Sequence, residues 1–91
     1  MKHARHLGQL QRLKKIEGQV RGIVRMVEAE RYCVEILTQL RAARAALRRV
    51  EDFVLQEHVE HCVAQAIRSG DAAEQRQKVE ELLDVLVRFS D

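Results

Sequence analysis

Residues 32–68 read YCVEILTQLRAARAALRRVEDFVLQEHVEHCVAQAIR, 37 positions without a Gly or a Pro. Within them Cys33, Ile36, Leu40, Ala43, Leu47, Val50 and Val54 recur at alternating steps of three and four. That is the seam of a helix that packs along a partner for three heptads. As a helix the stretch rises about 1.5 Å per residue, so Cys33 and His58, 25 positions apart in the chain, lie about 37 Å from each other. One chain cannot draw Cys33 and the His58-x-x-x-Cys62 pair into a common site. Two antiparallel copies can, because Cys33 of one then comes level with His58 and Cys62 of the other. The two-fold axis falls near residues 45–48, beside Ala42-Ala43-Arg44-Ala45-Ala46-Leu47, where small side chains let two backbones approach. The stretch reads as half of a symmetric metal site, with a dimer as the functional unit.

Working outward, Leu10, Leu13, Ile16, Val20, Ile23 and Val27 mark an amphipathic helix from about Ala4 to Ala29. Gly18 and Gly22 interrupt it, each costing about 1 kcal/mol against Ala, and suggest a close approach of another helix. Glu28-Ala29-Glu30-Arg31, without Gly or Pro, is expected to hold a short turn, with a helix continuous across it as the alternative. After Val54 the apolar register slips, and Leu55, His58 or Val59, Cys62, and Ala66 or Ile67 carry the line onward. Ser69-Gly70 is a stop, with Gly70 as a left-handed C-cap and Asp71 as the next N-cap. A third helix is expected from about Ala73 to Phe89, with Val79, Leu82, Leu83, Leu86 and Phe89 on one face. The fold class is all-α: one domain, 1–91, as a three-helix protomer with a long central helix. Ninety-one residues bury a thin core without a partner.

The net charge of +2 hides a division. Residues 1–50 carry twelve Lys or Arg against four Glu, a net of +8; residues 51–91 carry four against ten Asp or Glu, a net of −6. A basic first half points to a polyanion. Three aromatic residues give no stacking platform for single strands, so the expected polyanion is double-stranded DNA, read by groove shape and phosphate position. No apolar run approaches the ~20 residues of a membrane span. The chain reads as cytoplasmic, where its two cysteines stay reduced and free to ligate. A Cys and a His could form a nucleophilic pair, but nothing supplies an oxyanion site or substrate pocket, so an enzyme is not expected.

His58 and Cys62, four apart, share a helix face. With a partner's Cys33 they offer two thiolates and one imidazole, which suits Cu(I); a fourth ligand would turn the site toward tetrahedral Zn(II) or another divalent ion. His3 or His6 could supply that ligand if the N-terminal segment folds over. His61 is about 100° round the helix from Cys62 and is expected on the surface.

At these residues the chain resembles the CsoR/RcnR family of metal-responsive transcriptional repressors, in its copper-sensitive branch. The marks are Leu13-Lys14-Lys15-Ile16-Glu17-Gly18-Gln19-Val20-Arg21-Gly22, Tyr32-Cys33, His58-Val59-Glu60-His61-Cys62, Ala66-Ile67-Arg68-Ser69-Gly70-Asp71 and Glu80-Glu81-Leu82-Leu83. The resemblance implies a disc-shaped homotetramer, a dimer of antiparallel dimers, that binds operator DNA when metal-free and releases it on binding its effector. Genes for efflux of the ion would then be derepressed. It matches Cys33, His58 and Cys62 to the family's copper ligands and Tyr32 and Glu81 to residues around the histidine, where outer partners orient an imidazole. The Gly70 to Glu81 connection is a few residues longer than in the copper branch, which keeps Glu80 beside Glu81 as a candidate. Arg12 and Arg49 match positions implicated in DNA binding, with Lys14, Lys15, Arg21 and Arg48 as neighbours. Two alternatives remain at this point: a nickel, cobalt, zinc or persulfide sensor of the same fold, and a helical interaction module whose cysteines are core residues.

Overall fold

The structure is a computed structural model that describes residues 5–90. Every regular element among them is helical: a 3-10 turn at Leu7–Gln9, then α1 (Leu10–Glu28), α2 (Cys33–Ser69) and α3 (Ala72–Arg88). The expected start near Ala4 lies outside the described residues; within them the first α-helix begins at Leu10, after the 3-10 turn, which is closed by Gln9 N–H donating to the His6 carbonyl at 2.9 Å. The long second helix runs unbroken over 37 residues, one position later at each end than its expected bounds.

The chain divides into two units, one of them His6–Val54 and the other from residue 55 onward. In the first unit α1 and the opening half of α2 bury Ile16 and Ile23 on one helix and Ala43 and Val50 on the other. Each pair is seven residues apart, so each holds one side of its helix to the core. Two other seam positions of α2, Leu40 and Leu47, remain 47% and 46% exposed.

The turn between α1 and α2 has a physical reason that periodicity does not carry. Arg31 N–H donates to the Met26 carbonyl at 3.0 Å and Glu30 N–H to the Val27 carbonyl at 3.1 Å, the paired bonds of a Schellman motif. The position that usually takes Gly holds Glu30, with φ +54°. A left-handed conformation costs a side-chain-bearing residue about 1 kcal/mol. Glu30→Gly is therefore expected to raise unfolding stability by about 1 kcal/mol, measured by denaturant titration; an unchanged midpoint would mean the strain is relieved elsewhere.

Gly18 and Gly22 do not mark a close approach inside the chain. A Cβ at either would meet nothing within 4 Å.

In the second unit the rest of α2 turns back through Gly70 and Asp71 into α3. Gly70 has φ +67°, and the Asp71 side chain accepts from Ala73 N–H at 3.1 Å as the N-cap. Both match the sequence expectation. The helices run antiparallel: Gln75 Nε2 donates to the Ala66 carbonyl at 3.0 Å, and the Cys62 thiol to the Lys78 carbonyl at 3.8 Å. No helix among the described residues is long and apolar enough to cross a membrane.

Candidate metal-binding and DNA-binding residues

The three sulfur and imidazole candidates all lie on α2. Cys33 is its first helical residue and is exposed. Tyr32, just before it, has its carbonyl tied to Glu35 N–H at 3.0 Å while its side chain is 67% exposed. An Arg31–Glu35 ion pair at 2.8 Å braces this first turn.

His58 and Cys62 stand one turn apart in the second unit, His58 half-buried and Cys62 only 5% exposed. Burial of Cys62 comes from α3. Its thiol lines an apolar cavity of about 290 Å³ with Val63, Ala66, Ile67, Val79 and Leu82. The bonds from Cys62 to Lys78 and from Gln75 to Ala66 set the register of the hairpin. One turn further along, that register brings His58 level with Glu81 and Leu82. The Glu81 carboxylate is 3.9 Å from Lys78 Nζ, which places both side chains on one side of α3. Glu80 is exposed.

Among the described residues no group of three or more His, Cys, Asp or Glu is assembled to hold a metal ion within one chain. His3 lies outside the described residues. His6 is half-buried at the head of the 3-10 turn. His61, expected on the surface, is half-buried as well. A 100° step from Cys62 does not say how much of a side chain its neighbours cover.

The basic candidates belong to the first unit and are all exposed. Lys14 and Arg21 precede the buried Ile16 and Ile23 by two positions, as Arg48 precedes Val50, so each points about 160° away from the core. Lys15 and Arg49 precede a buried residue by one and stand at the edge, about 100° round. Two of these charges are partly neutralised on their own helices: Arg21 by Glu17 at 2.8 Å and Arg48 by Asp52 at 3.7 Å. Arg12 is held differently. Its guanidinium carbon lies 4.3 Å from the centre of the Phe53 ring. Phe53 is one turn beyond Arg49 on α2, so the stacking brings Arg12 and Arg49, remote in sequence, to the same end of the unit. Sequence reasoning does not find Phe53; the available signal is an aromatic ring beside Val54, the last residue of the seam.

A family described as metal-sensitive transcriptional repressor matches residues 6–88. The copper-sensing transcriptional repressor CsoR of Bacillus subtilis (strain 168) is 54% identical over 79 residues, covering 87% of this chain and 75% of that protein. The copper-sensing transcriptional repressor RicR of Mycobacterium tuberculosis is 51% identical over 59 residues, 65% of this chain and 62% of that one. Among solved structures, the copper-sensing repressor CsoR with Cu(I) from Geobacillus thermodenitrificans NG80-2 superposes with a TM-score of 0.73 at 49% identity, covering 92% of this chain and 84% of that one.

Proposed function

The chain belongs to the metal-sensitive transcriptional repressor family, and from that premise we propose that it is a Cu(I)-responsive repressor, acting over its whole length as one DNA-binding and metal-sensing domain. The observation that carries the metal half is the buried Cys62 thiol one turn from His58, on the helix that begins with an exposed Cys33. Similarity to repressors named as copper-sensing, one of them solved with Cu(I), supports the choice of ion.

The donor set fits that ion. Cys33 of one subunit with His58 and Cys62 of an antiparallel partner gives two thiolates and an imidazole, soft ligands for a soft monovalent cation. The Cys62 thiol proton has a neutral acceptor, the Lys78 carbonyl, so exchange of that proton for a cation leaves no ion pair broken. When bound, Cu(I) would supply a positive centre joining sulfur from one subunit to sulfur and nitrogen from the other. Tyr32 and Glu81 stand as the groups that orient the imidazole. The seam residues Leu40 and Leu47, exposed in one chain, are surface that a second copy would cover, and a homotetramer of two such dimers is the assembly proposed. The cytoplasm is the proposed compartment, and no catalytic role is assigned.

Arg12 and Arg49 carry the contact proposed with operator DNA, with Lys14, Lys15, Arg21 and Arg48 as further charges of the same unit. Fixing Cys33 against the partner's His58 and Cys62 fixes a helix that also carries Arg49. If that arrangement suits DNA poorly, effector and operator weaken each other by one coupling free energy. Anaerobic apo-protein is expected to select a duplex from a random library and to lose at least about tenfold in affinity for it with Cu(I), inside the range of ordinary allosteric couplings. Ni(II), Co(II) and Zn(II) are expected to leave it bound. Release by one of those ions with indifference to Cu(I) would overturn the assignment of the effector.

A further inference from the structure

Arg12 is anchored by a ring, although the same two helices carry carboxylates that hold other arginines. Asp52, the neighbour of Phe53 in sequence, is engaged with Arg48 at 3.7 Å, and Glu17 on α1 takes Arg21 at 2.8 Å. The Arg12 guanidinium instead lies 4.3 Å from the centre of the Phe53 ring. The two kinds of anchor differ in what they leave behind. A carboxylate orients a guanidinium but cancels its charge and occupies its N–H edge. A neutral ring holds the flat face, through the quadrupole, and leaves both the charge and the in-plane N–H fork available. A phosphate approaches a guanidinium along that edge.

We propose that Phe53 is a positioning residue for operator binding: by stacking under Arg12 it presents a pre-oriented, un-neutralised guanidinium to a DNA phosphate beside Arg49. This rests on the repressor reading above and adds to it a residue with no charge and no ligand atom. Its physical effect is on the free protein. A long, exposed Arg loses side-chain freedom when it docks, and a ring that already restricts it reduces that loss. Phe53 is half-buried, so its own position is fixed by the unit while its ring lies under Arg12.

The consequence separates Phe53 from Arg12 in one measurement. Removing Arg12 takes away a phosphate partner, so both affinity and the slope of log affinity against log salt should fall, the slope by about 1 for each phosphate no longer neutralised. Removing the ring should lower affinity and leave the slope as it was, because the charge still reaches the phosphate. The test uses full-length apo-protein and a duplex selected by the wild-type chain, with binding followed by fluorescence anisotropy across a salt series. Phe53→Leu and Phe53→Met are expected to bind about threefold to tenfold more weakly for each Arg12 that meets DNA, with the wild-type slope. Phe53→Tyr, which keeps the ring, should bind as the wild type does. In an Arg12→Ala background, Phe53→Leu should cost nothing further.

A purely structural ring would give a different pattern: weakened binding with Phe53→Leu that persists in full on top of Arg12→Ala, and that result overturns the proposal. So does wild-type affinity in both Phe53→Leu and Phe53→Met. If the wild-type chain selects no duplex at all, the repressor reading itself falls, and the role of Phe53 with it.

Discussion

A Cys33→Ser chain and a Cys62→Ser chain, each unable to release DNA in response to Cu(I), are expected to recover the response when combined in one dimer. Each ligand lies on α2, but Cys33 opens the helix and Cys62 is near its end. If the site is shared between antiparallel subunits, a hybrid dimer has one site with every ligand intact and one with both thiols gone. If a site were closed within one chain, no site in the hybrid would be intact. Serine is the right replacement at Cys62. Its hydroxyl can still donate to the Lys78 carbonyl that accepts from the thiol, so the α2–α3 hairpin should keep its register while losing the soft ligand.

The expected size is large. Residues that only orient a metal ligand change affinity by about 10- to 100-fold, so loss of a thiolate itself should exceed about 100-fold in Cu(I) affinity. Hybrids isolated through two different affinity tags should bind about half the wild-type complement of Cu(I) with wild-type affinity, measured against a competing chelator. Hybrids no better than either parent would remove the site shared between antiparallel subunits.

The features legible in the sequence share one property: they are local. The 3-4 spacing of α2, the absence of Gly and Pro across it, and the Ser69-Gly70-Asp71 stop and restart are all decided by residues within a turn of each other. The first interhelical turn follows from position but not from chemistry, because Glu30 takes a conformation that favours Gly. Gly18 and Gly22 suggest a close helix contact, yet the space around them within the chain is open. Spacing marks a small residue without identifying which neighbour needs it small. His61, half-buried against an expectation of exposure, shows the same limit, since a helical wheel places a side chain by angle but not by how much of it is covered. The stacking of Arg12 on Phe53 escapes the sequence because it joins residues 41 positions apart, and no rule of spacing reaches that far.

The same long-range stacking makes the DNA face testable by charge. Replacing Arg12 and Arg49 together by Ala is expected to reduce operator affinity by at least about 100-fold at physiological salt, since each removes a phosphate partner in every subunit that touches DNA. The salt slope should fall by about 1 for each phosphate left without its arginine. Replacing Arg21 and Arg48 should cost less. Their charges are already shared with Glu17 and Asp52, and both point away from the core, whereas Arg49 stands at its edge. Single exposed ion pairs contribute about 0–1 kcal/mol, so neither set should alter folding, and circular dichroism should report an unchanged helix content. Cu(I) affinity should also be unchanged in the Arg12, Arg49 double variant, because its substitutions touch none of the sulfur or imidazole ligands. A variant that keeps full affinity and slope would place the operator on another face, with Lys14 and Lys15 on α1 as the next charges to remove. A variant that loses Cu(I) affinity as well would mean that the two halves of α2 do not act separately, and that the arginines support the metal site they were assigned to answer.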